Sequence, residues 1–321
     1  MTNNYKVPSS RIGIILNYQK NSCHLMSDRS TIYLDHAGAA LPAAKMMESI
    51  SFDLLNTQFA NPHSHSSLGN RTEEVIHNAR ASVFRFLNAS PLQYDVVFTS
   101  GATAACKLVA EYFPWEDTGV FCYPINVHTS VLGMRTYCKN NICINSASSP
   151  WSSAPLVVPL PAVDVGADVG ADVGSSKEIL RKKEQAFNLL AVVGECNFTG
   201  VQTPLETVRD TISKLQGGQQ PHVLVSTATA TAGHSTATDP TNSCQHALSR
   251  NSMVELCRQQ PWMWLLDASK LAATTPIDLE ALPPSDRPHF VCLSLYKIFG
   301  YPTGLGVLLI RRDAANLLRK R

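Results

Sequence analysis

Short apolar runs of strand length recur along the chain, at 95–99, 120–123, 189–193, 262–266, 290–295 and 307–310. Stretches with helical spacing separate several of them. Met46, Met47, Ile50, Leu54 and Leu55 follow Pro42, which a first helical turn tolerates, and predict a helix. Val75, Ile76, Ala79, Val83 and Leu87 make one apolar stripe of a second helix over about 72–87, with Arg71, Glu74 and Arg85 left in water. The run at 95–99 reads as a buried strand and passes through Ser100-Gly101 into an alanine-rich helix reaching Val109. Ahead of these, 31–34 reads as a short strand entering the small-residue turn Asp35-His36-Ala37-Gly38-Ala39-Ala40. The alternation predicts an α/β fold, with helices sandwiching a mainly parallel sheet.

Three stretches break the pattern. Residues 1–30 read as an irregular arm, which leaves 31–321 as the body of the fold. The near-repeat of Val-Asp-Val-Gly and Ala-Asp-Val-Gly within about 161–176 is low in complexity, and its glycines interrupt any useful strand, so it reads as a surface insertion. Residues 216–249 are rich in Gln, Thr, Ser, Ala and Gly and read as a loop insertion, despite β-branched residues from Val223 onward.

At 321 residues and 44% hydrophobic content the chain can bury a large core. Its 27 basic and 25 acidic residues nearly balance, so nothing calls for a nucleic acid or a membrane surface as partner, and a small molecule is the expected ligand. The 9 cysteines are odd in number and form no CxxC pair, which points to a reducing compartment and no structural zinc. The apolar core of the first thirty residues, Ile12 to Leu16, is too short for a signal peptide, and no apolar run reaches the roughly 20 residues of a membrane helix, so a cytoplasmic protein is expected.

The chemistry gathers at strand ends. Lys297 follows the apolar run 290–295 and precedes a glycine-rich turn. Burial disfavours the charged form of a lysine, and the free amine is what condenses with an aldehyde cofactor such as pyridoxal 5'-phosphate. Taken alone, Lys297 equally suits a solvated lysine at a strand end. Its company argues otherwise, because a pyridoxal site needs an acid facing the ring nitrogen, and Asp267 closes the run 262–266. Asp267 would also serve as an N-cap before Ala268. A phosphate needs N–H groups at a helix start, which Ser100-Gly101-Ala102-Thr103 offers, as an ordinary capped turn also would. His128 could cover a ring, and Asn197 could hydrogen-bond a phenolic oxygen; the plain alternatives are a surface histidine and a turn residue.

The order SGAT (100–103), NVHTSV (126–131), ECNFTG (195–200), LLDAS (265–269) and SLYKIFGYPTGLG (294–306) resembles the class V aminotransferase-like, cysteine-desulfurase-like enzymes. YLDHAGAALP (33–42), ANPHSHSS (60–67) and YKIFGYPTGLGVLLIRR (296–312) are similar to the amino-terminal domain of the molybdenum cofactor sulfurase family. The likeness covers about 31–140, 188–210 and 261–315. It implies the large domain of pyridoxal-phosphate fold type I. It also implies an imine on Lys297, Asp267 at the pyridine nitrogen, His128 stacked on the ring, Asn197 at the phenolic oxygen, and Ala102, Thr103 and Ser294 around the phosphate. Lys270 is the competing lysine and stands where related desulfurases often carry glutamine.

The implied reaction is sulfur transfer from L-cysteine, through an enzyme persulfide, to molybdenum cofactor on a separate domain, with a homodimer as the common assembly. Another pyridoxal lyase, such as a cysteine desulfurase or selenocysteine lyase, and an inactive cofactor-binding fragment are the alternatives. The family's acceptor cysteine and substrate-binding arginine are expected beyond Arg321, with most of the small domain, so the chain reads as truncated. Cys106 and Cys292 read as core residues and no cysteine is nominated as acceptor.

Overall fold

The computed structural model describes residues 33–144, 185–217, 223–225 and 250–319. The expected arm at 1–30, the low-complexity stretch near 161–176 and most of 216–249 lie outside them.

The apolar runs form one sheet of eight strands among the described residues: β1 (Tyr94–Thr99), β2 (Val120–Pro124), β3 (Asn140–Ile144), β4 (Asn188–Val193), β5 (Val223–Val225), β6 (Trp262–Asp267), β7 (Phe290–Ser294) and β8 (Gly306–Arg311). Their order is β1-β8-β7-β6-β4-β2-β3-β5. β8 runs antiparallel to β1 and β7, and β5 antiparallel to β3, while the other pairs are parallel. Six strands therefore point the same way. Their carboxyl ends lie along one edge of the sheet, where α/β folds receive ligands.

The helices are α1 (Ala44–Asn56), α2 (Ser67–Leu87), α3 (Ala102–Tyr112), α4 (Thr129–Leu132), α5 (Val208–Gly217), α6 (Arg250–Gln259), α7 (Leu271–Thr274), α8 (Tyr296–Phe299) and α9 (Arg312–Ala315). Because side chains alternate across a strand, the central strands feed two cores. Leu190, Val192, Trp264 and Leu266 pack on one face with Val83, Leu87, Val208 and Leu271. Leu189, Ala191, Met263 and Leu265 pack on the other with Ala105, Cys106, Val109 and Ala110 of α3. The central strands β4, β6 and β7 are mostly apolar because both faces are covered.

The expected strand at 31–34 is not formed by Tyr33 and Leu34; its first two residues lie outside the described residues. The turn after it is present, closed by the Gly38 N–H donating to the Asp35 carbonyl and to Asp35 Oδ1, both at 3.1 Å. α1 begins two residues beyond Pro42 and buries none of its side chains. α2 starts earlier than its stripe predicts, capped by Ser66 Oγ accepting from Gly69 N at 3.1 Å. Val75 and Ala79 of that stripe are exposed, and only its carboxyl-terminal part, Val83 and Leu87, enters the core. β1 is half-exposed, not buried, because it pairs only with β8 at the sheet border.

Two strands escape the apolar pattern. β3 opens with Asn140, whose amide is buried because it donates to the Asp117 and Gly119 carbonyls at 3.0 and 2.9 Å. β5 corrects the loop reading at 223–225: these residues pair with Ile144, Cys143 and Ile142. No helix among the described residues is long and apolar enough to cross a membrane.

His289, just before β7, ties the start of that strand to β6 by accepting the Trp264 N–H on Nδ1 at 3.2 Å. Burial, with the Arg311 guanidinium beside it, pushes its pKa down to about 3. An unfolded imidazole titrates near 6.5, so between those values the unfolded state binds the extra proton and stability falls as pH falls. Urea unfolding is expected to lose up to about 1.4 kcal/mol per pH unit below pH 6 from this group. His289→Gln should flatten that part of the slope relative to the parent chain; equal slopes would remove His289 as the cause.

Candidate active site

A cleft opens at the carboxyl edge of the sheet, with about 460 Å³ of space open to solvent. Each wall comes from a strand end. After β1, the chain turns at Ser100-Gly101 and α3 begins, and Gly306 at the start of β8 lies directly against that turn. A Cβ on Gly306 would fall 2.4 Å from Gly101 Cα and 2.7 Å from the Leu293 carbonyl, so only glycine lets the backbones meet there.

The contact seats the first turn of α3 over β7, where Ser294 Oγ accepts the Ala102 N–H at 3.0 Å. The N–H groups of Thr103 and Ala104 have no acceptor among the described residues. They sit at the positive end of an eleven-residue helix. The Thr103 hydroxyl meets Ser130 Oγ at 2.7 Å, and Ser130 meets His128 Nδ1 at 2.9 Å. His128 also caps α4, its Nδ1 accepting the Ser130 N–H at 3.2 Å. That bond leaves Nε2 as the protonated nitrogen of the neutral ring.

Asp267 ends β6 and is buried. Its Oδ1 accepts from the Ser269 N–H at 3.1 Å and the Ser269 hydroxyl at 2.6 Å. These bonds close a local turn and not the helix cap its sequence also suited, since α7 starts at Leu271 behind Lys270, and Oδ2 keeps no partner among the described residues and remains available to a ligand. Lys297 lies on α8, not at the strand end itself, and is half-buried where the sequence suggested full burial. Its amine makes no hydrogen bond or ion pair among the described residues. α8 is pinned from behind: the Ala40 N–H donates to the Tyr296 carbonyl at 3.3 Å. Gly300, at φ +85°, lets the chain pass within 2.5 Å of where a Cβ would meet the Ala40 carbonyl. The segments 33–42 and 296–312 are thus neighbours in space.

After β4 the chain makes a small flap. Cys196 N donates to the Val201 carbonyl and Gly200 N to the Cys196 carbonyl, both at 2.9 Å. Asn197 sits exposed on this flap and Phe198, 93% exposed, at its tip. Burial pushes the Cys196 thiol up, but hydrogen bonds from the side chain and backbone of Thr199, the Phe198 backbone and the Asn126 side chain outweigh it and leave the thiol below its ordinary range. Cys106 and Cys292 are fully buried, as core residues should be, and Cys292 is held well above a normal thiol by its hydrogen bond with Cys106 and by burial.

One cleft therefore gathers every residue singled out in the sequence: Ala102, Thr103, His128, Asn197, Asp267, Ser294 and Lys297. Sequence reasoning passed over Ser130, Glu195 and Ser269, which also line it. Ser130 and Ser269 each stand two residues after a nominated side chain, where a short polar side chain closes a turn, and that spacing was the available signal. Glu195 gave none, since its partner Lys270 is distant in sequence.

The fold is similar to that of several solved structures. A NifS-like protein from Rickettsia africae superposes with TM-score 0.55 at 18% identity, over 88% of this chain and 58% of that one. A C-DES variant with glycine covalently linked to its PLP cofactor gives 0.58 at 14% identity, over 94% and 62%. The chain shares the fold of these proteins, and residues 32–134 match the Aminotransferase class-V family.

Over most of its length the chain is also similar to curated molybdenum cofactor sulfurases. It is 36% identical to the Arabidopsis thaliana enzyme over 91% of this chain and 32% of that protein, and 33% identical to the Homo sapiens enzyme over 90% and 27%. The chain spans about a third of the length of the curated relatives it matches.

The Gly306 contact supplies a direct test of how the cleft is held. Gly306→Ala should cost about 2–3 kcal/mol in urea unfolding, because a methyl group is forced into backbone on two sides. A loss under about 0.5 kcal/mol would show that the α3 turn is not fixed by this contact.

Proposed function

We propose that this cleft binds pyridoxal 5'-phosphate through Lys297, and that the chain is the cofactor-binding part of an enzyme that moves sulfur from L-cysteine to molybdenum cofactor. The observation that carries the reading is the unpaired Lys297 amine in one cleft with the open oxygen of Asp267 and the unsatisfied N–H groups of Thr103 and Ala104. Amine, acid and anion-binding helix start are the three fixtures this cofactor requires.

In this reading the start of α3, the Thr103 and Ser130 hydroxyls and Ser294 hold the phosphate, while Asp267 keeps a proton on the ring nitrogen. His128 covers the ring and Asn197 binds its phenolic oxygen. The bound cofactor supplies an electron-withdrawing ring that stabilises negative charge at the substrate α-carbon. The Lys297 amine, when free, would be the base that takes the α-proton of the substrate. The molybdenum cofactor as acceptor rests on the similarity to the sulfurases, and no cysteine of this chain is assigned as sulfur carrier. A cytoplasmic setting, and a homodimer as the assembly, belong to the same proposal; all seven cysteines among the described residues are free thiols.

Purified protein loaded with pyridoxal phosphate should absorb in the visible range, and borohydride reduction followed by peptide mass spectrometry should place the added mass on Lys297. Lys297→Ala should abolish the absorbance. Asp267→Asn should bind the cofactor but cut alanine release from L-cysteine by about 100-fold or more, wherever the chain supports turnover. Absence of any lysine-linked cofactor in the parent protein would end this reading.

A further inference from the structure

Two lysines line the cleft, and an aldehyde can condense with either, so something must decide between them. Condensation joins the amine nitrogen to the aldehyde carbon by a C=N bond, and the aldehyde oxygen leaves as water with the two amine protons. The step needs a neutral amine with a lone pair and freedom to approach the carbonyl.

Lys270 has neither. Its Nζ lies 3.2 Å from Glu195 Oε1 and donates to the Cys196 carbonyl at 3.1 Å, with the side chains of Lys270 and Glu195 only 13% and 6% exposed. Glu195 is fixed in turn, its Oε2 accepting from Gln202 Nε2 at 3.1 Å and from the Thr274 hydroxyl. Gln202 is anchored on Thr275 at 2.7 Å. The two anchors hold Nζ under the flap that carries Asn197. Lys297 carries no such restraint.

We propose that Glu195 is a positioning residue that silences Lys270, holding its amine in a buried ion pair so that the aldehyde of the cofactor goes to Lys297 alone. The inference rests on the pyridoxal reading for its biological meaning, but the inequality of the two amines does not. The charged and titratable groups around Lys270 are Glu195, Asp267, Lys297, His128, Cys196 and Tyr296, and among the described residues only Glu195 is ion-paired with it.

The test reads where label falls. With pyridoxal phosphate and borohydride, the parent protein should carry the adduct on Lys297, and Lys297→Ala should leave Lys270 unlabelled under the same loading. Adding Glu195→Gln to Lys297→Ala should raise Lys270 labelling by roughly tenfold or more, because the amine is released from its close paired charge. Glu195→Asp in the same background keeps a carboxylate and should hold Lys270 near its silent level. Competitive labelling of the cofactor-free protein with acetic anhydride makes the same comparison without pyridoxal phosphate. There Lys297 should react faster than Lys270, and Glu195→Gln should close the gap. If no lysine takes pyridoxal phosphate but the acetylation gap follows Glu195, the cofactor reading fails and the silencing stands. Lys270 labelled in Lys297→Ala as heavily as Lys297 in the parent, or equal acetylation of both lysines in the parent, would overturn the proposal, and both measurements hold even if the Gln variant fails to fold.

Discussion

The meeting of Gly306 with Gly101 governs the geometry of the cleft. It lets β8 pass so close beneath the turn after β1 that the first residues of α3 come to rest on Ser294 at the end of β7. With that turn in place, the helix start faces the cleft, Thr103 reaches Ser130, and Ser130 holds His128. Displacing it would move three walls at once, because each polar contact depends on the previous one.

The parallel strands make the other half of the arrangement. β4, β6 and β7 are apolar over Leu189–Val193, Trp262–Leu266 and Phe290–Leu293 and release the chain at one edge, so the polar residues that come next emerge side by side: Glu195, Asp267 and Ser294. Sheet direction, more than any local motif, converts residues scattered through the sequence into neighbours. The charge balance of the cleft follows from this: two carboxylates and two lysines line it, and the Glu195–Lys270 pair leaves Asp267 and Lys297 uncommitted.

Most of this was legible in the amino-acid order, for a physical reason. A strand covered on both faces must be a continuous apolar run, and the runs at 189–193, 262–266 and 290–295 declare themselves for that reason. β3 was not legible because its buried opening residue, Asn140, is satisfied by backbone carbonyls that only folding brings near. The helices misled in the opposite direction: the apolar spacing of α1 and of the first half of α2 promises a buried face, but Leu54, Leu55, Val75 and Ala79 stay exposed and Met46, Met47, Ile50 and Ile76 are only half-buried. In the cleft, Lys297 and Asp267 could be singled out because their chemistry is unusual at a strand end. Glu195 could not, because an acidic residue after a strand acquires meaning only beside the lysine it faces.

α1 carries a consequence of its own. With Leu55 86% exposed and no residue buried, its thirteen residues draw almost nothing from tertiary packing, and a helix of that length is marginal in water by itself. What remains to hold it is the buried Ala43 before it and the Thr57 N–H bonded to the Asp53 carbonyl at its end. The amides of α1 are therefore the ones least shielded from solvent hydrogen exchange, a local opening that need not disturb the sheet. The molecule thus joins a rigid, doubly covered platform to a helix whose persistence depends on what lies against it.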